Sequence, residues 1–235
     1  MLDLNPTTFE DFERDCECGS VIPVTRTILA DLQTPLGAFL RIAGDAQHSF
    51  LLESIEGGER VARYSFLGAN PWMVLRGQRA KTIIQRDGRR EVVNQNAIDF
   101  LRQYFAGKKL VSRSGLAPFA GGAVGYLAYD AARWFEPVLD SSSDQPNAND
   151  AVWMLFRTVI AFDRVRQQME ITAVVFTNEA DGDREKLRAL YHEAVDSTAK
   201  IAASLNGEIG PFADQSACSF RVESTIDPDW SFESS

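Results

Sequence analysis

Two strongly β-prone runs, at residues 152–162 and 169–176, are separated only by Asp163-Arg164-Val165-Arg166-Gln167, and this pairing constrains the fold more than any other stretch. Both runs are dense in Val, Ile, Phe and Met, and the polar connection between them is long enough to reverse the chain. They predict a long antiparallel hairpin. Such a hairpin is not stable alone in water, so it calls for neighbouring strands and for apolar cover on a face. The neighbours are expected at 21–29, 49–52, 63–68, 71–76 and 80–86, with a further short strand at 219–222. Pro23 places the first of these near a sheet edge, because proline donates nothing to a ladder. Asp87-Gly88, between Ile83-Ile84 and Val92-Val93, predicts a second hairpin, since both turn residues tolerate positive φ.

Helices are expected between these strands. A first helix begins at Thr7 or Thr8, carries Phe9, Phe12 and Cys16 on one face, and stops at Gly19. Thr34-Pro35 is a cap followed by proline at the first helical position, and Leu36, Phe39, Leu40 and Ala43 then keep helical spacing up to Gly44. Asn96 caps a helix bearing Ile98, Leu101 and Phe105, closed by Gly107, and Asp130 caps a short helix that runs to Glu136. Residues 183–205 form the longest helix, with Leu187, Leu190, Tyr191, Ala194, Ile201 and Leu205 in one stripe. The polar segment 141–150 reads as an exposed loop. On residues alone the chain is a mixed α and β domain.

Composition narrows the function class. A net charge of −9 and a pI of 4.8, with no basic block, argue against nucleic acid as a partner. No apolar run approaches the ~20 residues that span a bilayer, so no membrane is expected. The acidic start lacks the basic, apolar pattern of a secretory signal. Cys16, Cys18 and Cys218 have no framework spacing and read as free thiols in a reducing, cytoplasmic compartment. Cys16 and Cys18 lack the further ligands that a metal site needs. With only His48 and His192 present, and no nucleophile or zinc motif, no catalytic set is evident.

Two stretches remain as candidates. In the run from His48 to Trp72, the apolar residues Ser49-Phe50-Leu51-Leu52 stop at Glu53 and Ser54 before Gly57-Gly58 and a second strand. Polar groups at the end of a buried strand suit a small-molecule pocket; a hairpin with Glu53 and Ser54 in solvent fits the spacing better. Arg63 could grip a carboxylate with its planar fork, or lie exposed. Gly121, Gly122 and Gly125 resemble a phosphate loop, but no Lys-Ser or Lys-Thr follows; a bent or closely approached strand explains them.

The runs FLLESIEGGERVARYSFLG and GGAVGYLAYDAARWFE, with VIPVTRTILADLQTPLGAF before them and LFRTVIAFDRV after, resemble the N-terminal half of anthranilate synthase component I. The resemblance implies an α+β fold, mostly an antiparallel β-sandwich with flanking helices. It implies one N-terminal regulatory region over 1–235, matched at about 20–222, with 223–235 starting a linker to a chorismate-binding domain that is absent. In that family the full-length enzyme makes anthranilate and pyruvate from chorismate with Mg²⁺ and ammonia. The ammonia comes from a glutamine amidotransferase subunit, and L-tryptophan is the feedback inhibitor. The chorismate and Mg²⁺ residues lie in the other half, so no catalytic or metal residue is expected here and the chain alone is expected to be inactive. The LLES match implies a tryptophan effector site at Leu52, Glu53 and Ser54. Aminodeoxychorismate synthase component I, which shares fold and substrate, is the alternative within the superfamily; a stand-alone amino-acid-binding or interaction module is the alternative outside it.

Overall fold

In the computed structural model the described residues are 3–31, 33–44, 46–53, 63–136, 138 and 149–206. The expected 219–222 strand, the 223–235 linker and most of the 141–150 segment lie outside them.

The strands are β1 (Asp3–Asn5), β2 (Val21–Leu29), β3 (Ser49–Glu53), β4 (Tyr64–Ala69), β5 (Met73–Gln78), β6 (Lys81–Arg86), β7 (Arg89–Val93), β8 (Gly122–Leu127), β9 (Ala151–Phe156), β10 (Thr158–Asp163) and β11 (Gln168–Phe176). The helices are α1 (Phe9–Asp15), α2 (Pro35–Ala43), α3 (Ala97–Phe105) and α4 (Arg184–Asn206). Six strands form one sheet in the order β1-β2-β11-β10-β4-β3, and five form another in the order β7-β6-β5-β9-β8. Every pairing between these strands is antiparallel. The fold is α+β.

The hairpin around 163–167 forms as expected, with Asp163 opposite Gln168. The run at 152–162, however, is not one strand. It breaks at Arg157, leaving β9 in the five-stranded sheet and β10 in the six-stranded one. The break is held from three sides. The Arg157 carbonyl accepts from Val174 N at 2.8 Å, its guanidinium donates twice to Glu179 at 2.7 and 2.5 Å, and the same group lies 4.6 Å from the Trp72 ring centre. A strand that changes sheets at a corner is how two sheets meet at a steep angle. Inside that corner Phe50 and Val159 pack with Phe156, and Phe66, Phe119, Val124 and Met154 close around them.

On its other face the six-stranded sheet is covered by helices. Ile28, Leu67, Ile160, Phe162, Met169 and Ile171 pack beneath α2 and the end of α4, where Ala202 and Leu205 are buried. Phe9, Phe12, Ile22, Val24 and Val175 pack beneath α1 and the first half of α4, with Tyr191 and Ala194. The α4 stripe is therefore core, as its spacing predicts. Its one polar interruption, fully buried Thr198, donates to Val195 O and accepts from Arg26 Nε at 3.3 Å, so its hydroxyl is satisfied.

Local signals place most ends correctly. Thr8, Thr34 and Asn96 each accept from the backbone N–H three residues on. Asp87 and Gly88 turn with φ of 50° and 72°. Helix α1 ends at Asp15, short of Gly19, and a 3-10 turn at Tyr129–Trp134 replaces the helix expected from Asp130, which sits inside its first turn. Pro23 is near an edge in a local sense: β1 covers only Thr25–Thr27, and the Pro23 carbonyl accepts from Arg113 at 3.0 Å.

Candidate functional site

Antiparallel register decides where the LLES residues point. In β3, Leu51 lies opposite Leu67 and packs into the cluster under α2. Side chains alternate along a strand, so Glu53 shares that face and Leu52 takes the other. Leu52, half-exposed, lies opposite Phe66; Glu53 lies opposite Ser65. The two residues therefore serve different surroundings. Ser54 lies outside the described residues.

Glu53 is engaged in an ion pair. Arg164 donates to its Oε1 at 2.5 Å and to the buried Ser65 hydroxyl at 3.1 Å. Arg63 does grip a carboxylate, but an internal one: Asp163 accepts two parallel bonds from it at 3.0 and 2.5 Å. Asp163 also accepts from the N–H groups of Val165 and Arg166, fixing the β10–β11 turn. Burial pulls the Asp163 pKa upward, but the Arg63 bonds and the two backbone donors outweigh it and hold the carboxyl below its ordinary value. Consecutive turn residues thus hold Arg63 and Glu53, the described residues that flank 54–62.

The opposite face, where Leu52 and Phe66 lie, leads along the sheet into a cleft of about 730 Å³. Thr25, Thr27, Ala161, Gln168 and Glu170 form its floor, the segment 113–117 one wall, and Tyr64 and Arg166 another. The volume is in the range of small-ligand sites. Glu170 Oε1 accepts from Ala117 N at 2.9 Å and, more loosely, from Thr172 at 3.4 Å. Burial dominates its titration and raises its pKa, against the pull of those two bonds. Arg113 is committed to Asp15, Asn5 and Pro23. The cleft offers threonine hydroxyls, the Gln168 amide, the Arg166 guanidinium and the carboxyls of Asp3, Asp163 and Glu170, the last of which resists ionisation, and this is chemistry for binding. Neither His48 nor His192 lines it.

The sequence carries a signal for this floor. Gln168, Glu170 and Thr172 alternate with Met169 and Ile171, and Thr25 and Thr27 lie between Val24 and Ile28 with Arg26 turned to Thr198 on the helix side. A polar residue at every second position marks one face of a sheet left uncovered by the core.

The remaining candidates resolve simply. His192 is exposed beside Tyr191, 5.3 Å between ring centres. Cys16 donates to Phe12 O, and burial pushes its thiol up to about 11, which makes it unreactive at neutral pH. Among the described residues no group of three His, Cys, Asp or Glu side chains comes together as a metal site. No helix among them is long and apolar enough to cross a membrane. Gly122 and Gly125 belong to β8 and Gly121 immediately precedes it; they do not form a phosphate loop. A Cβ on Gly125 would sit 2.0 Å from the Val152 carbonyl oxygen, so only glycine lets β8 approach β9 this closely.

Comparison with known proteins gives this architecture relatives. Anthranilate synthase component 1 of Synechocystis sp. is 33% identical over 207 residues, covering 87% of this chain and 40% of that protein. The Acetivibrio thermocellus protein of the same name is 33% identical over 203 residues, covering 86% and 40%, and the Mycobacterium tuberculosis one is 31% identical over 203, covering 85% and 39%. The chain thus spans about two fifths of the length of the curated relatives it matches. A crystal structure of anthranilate synthase component I from Streptococcus pneumoniae matches with a TM-score of 0.40 at 25% identity, over 71% of this chain and 36% of that one. The family described as chorismate binding enzyme matches residues 47–227, which take in β3 to β11, α3 and α4 but not β1, α1, β2 and α2. On that span, the chain belongs to the chorismate binding enzyme family.

Proposed function

We propose that this chain is the N-terminal, tryptophan-sensing part of an anthranilate synthase component I. The observation that carries the reading is the 33% identity to proteins of that name over 87% of this chain but only 40% of theirs. The longer enzyme would convert chorismate and ammonia to anthranilate and pyruvate in the cytoplasm, with a glutamine amidotransferase subunit supplying the ammonia. The described residues bring together no ligand set for the Mg²⁺ expected of such an enzyme. The ion and the chorismate-binding groups are assigned to the part of the longer protein that this chain does not span.

Within this chain the effector site is proposed at the end of β3. Leu52, with Phe66 opposite and Tyr64 further along the same face, gives an apolar and aromatic wall of the kind an indole ring needs. Ser54, which follows the strand, is assigned the hydrogen bond to the amino-acid end of the ligand. Glu53, proposed from sequence as the partner of the ammonium, points to the α2 side and is held by Arg164. It is therefore assigned the task of fixing the strand end. Tryptophan inhibits by this reading because it binds one state of the longer enzyme better than another.

The test has two arms. The purified chain, given chorismate, Mg²⁺ and ammonia, should form no anthranilate; turnover would overturn the assignment of the chemistry elsewhere. In the longer protein carrying this sequence, Ser54→Phe should fill the site and raise the half-inhibitory tryptophan concentration by about tenfold or more, the equivalent of ~1.4 kcal/mol of lost binding. Inhibition of unchanged potency would sink the effector site while leaving the family assignment intact.

A further inference from the structure

The β6–β7 hairpin and α3 enclose a second cleft, of about 640 Å³, on the face of the five-stranded sheet opposite the corner cluster. It shares no residue with the cleft above Thr25 and Glu170. Its floor is apolar. Met73 and Ile84 are buried there, and Phe100 and Tyr104, one turn apart on α3, set their rings 6.4 Å apart with planes 11° from parallel.

The rim is ionic. Arg86 ends β6, Arg89 begins β7, and the register puts them directly opposite each other. Like charges in that position repel and weaken a hairpin. Asp87, in the turn, relieves little of this: its contact with Arg86 is 3.5 Å long, and both side chains are more than half exposed. Arg89 and Glu91, two residues apart and so on one face, form no ion pair among the described residues. The Arg86 guanidinium rests 5.6 Å from the Trp72 ring centre, and Trp72 lies 6.0 Å from Tyr104. The charged rim is thus tied to the aromatic floor.

An Asp-Gly turn closes a hairpin without arginines beside it, so the opposed pair costs stability for no gain in folding. A shared anion would reverse that cost. A carboxylate fills a single guanidinium fork, whereas a phosphomonoester carries close to two charges and three terminal oxygens and can bridge both. We propose that this cleft binds a mononucleotide, with its phosphate between Arg86 and Arg89 and its flat base along Phe100 and Tyr104. Glu91 accepts a hydrogen bond from a sugar hydroxyl or a base amine. Bases stack on aromatic side chains whatever their identity, and the volume is in the range of small-ligand sites. A nucleic-acid strand is not the ligand, because it needs a basic track that a chain of net charge −9 lacks. The proposal is independent of the family assignment and of the tryptophan site.

The experiment is a calorimetric titration of this chain with adenosine monophosphate at low salt. Binding should show a Kd of about 1 mM or tighter. Adenosine and inorganic phosphate, each filling half of the site, should bind at least about tenfold more weakly. Arg89→Gln should weaken adenosine monophosphate by about tenfold or more, yet melt no lower than the parent, because it ends the repulsion across the ladder. Arg90→Gln makes the same change of charge on the other face of β7, opposite Gln85, and should leave the affinity unchanged. If Arg89→Gln loses its melting transition, Arg86→Gln replaces it. If the parent chain alone shows no transition, the same titrations are made on the longer protein carrying it. Three results would each overturn the proposal: no binding of adenosine monophosphate, adenosine or phosphate binding as tightly as the nucleotide, or equal losses in Arg89→Gln and Arg90→Gln.

Discussion

At the floor of the cleft, Glu170 faces Thr27 on one side and Ala161 on the other, and its Oε1 takes the Ala117 N–H. Its pKa is raised above the usual carboxyl value, chiefly by burial. A carboxyl whose folded pKa exceeds its unfolded one contributes stability that is present below the unfolded pKa and is lost as pH rises through the folded one. At neutral pH the charged form is therefore a cost. Glu170→Gln keeps an oxygen to accept from Ala117 N and removes the charge. Its melting temperature at about pH 7 should rise by roughly 2 °C, and the gain should vanish near pH 4, where both forms are neutral. A lower melting temperature at pH 7 would mean that the carboxylate has a partner in the cleft worth more than its desolvation. Asp163 behaves oppositely: its pKa is depressed, so its contribution is present above the ordinary carboxyl range and is lost as pH falls through its lowered pKa.

Among the elements, α2 is set almost entirely by its first residues. Thr34 accepts from Gly37 N at 3.0 Å, Pro35 fixes the first helical φ, and Gly44 ends the helix at φ 37°. Thr34→Ala should cost about 1 kcal/mol, read as a lower urea midpoint with an unchanged m value. A change in m would show that the helix carries more of the fold's cooperativity than its cap. Features of this kind were legible in the sequence because their cause is local: Asn96 reaching Asp99 N, or Asp87-Gly88 turning with positive φ. The strand break at Arg157 was not legible. β-prone residues continue on both sides of it, and what bends the chain there is Glu179, Trp72 and Val174. The candidate site divides in the same way. A strand ending at Glu53 could be read from its neighbours in sequence. The residue that pairs with Glu53, Arg164, is 111 positions away. The polar alternation at Gln168, Glu170 and Thr172 is visible in the sequence, but it acquires meaning only beside Thr25 and Thr27 across the ladder.

For the molecule as a whole, the corner at Arg157 ties the two sheets into one unit, since β9 and β10 are a single stretch and Phe50, Phe156 and Val159 pack within the bend. The sheets should therefore unfold together. Tryptophan emission, with Trp72 and Trp153 beside the five-stranded sheet, and hydrogen exchange of the β10–β11 amides should report one urea midpoint. Two separated midpoints would show that the corner is a hinge between independent bodies. The same connectivity has a consequence during synthesis. β2, near the start of the chain, has its main partner in β11, with Val21 opposite Phe176. A growing chain exposes β2 long before β11 has left the ribosome tunnel, so for that interval Ile22 and Val24 have only α1, and Ile28 only α2, of the core that β11 and α4 later complete. Translation speed and chaperone holding, rather than final stability, should then govern how much of this protein reaches its folded state.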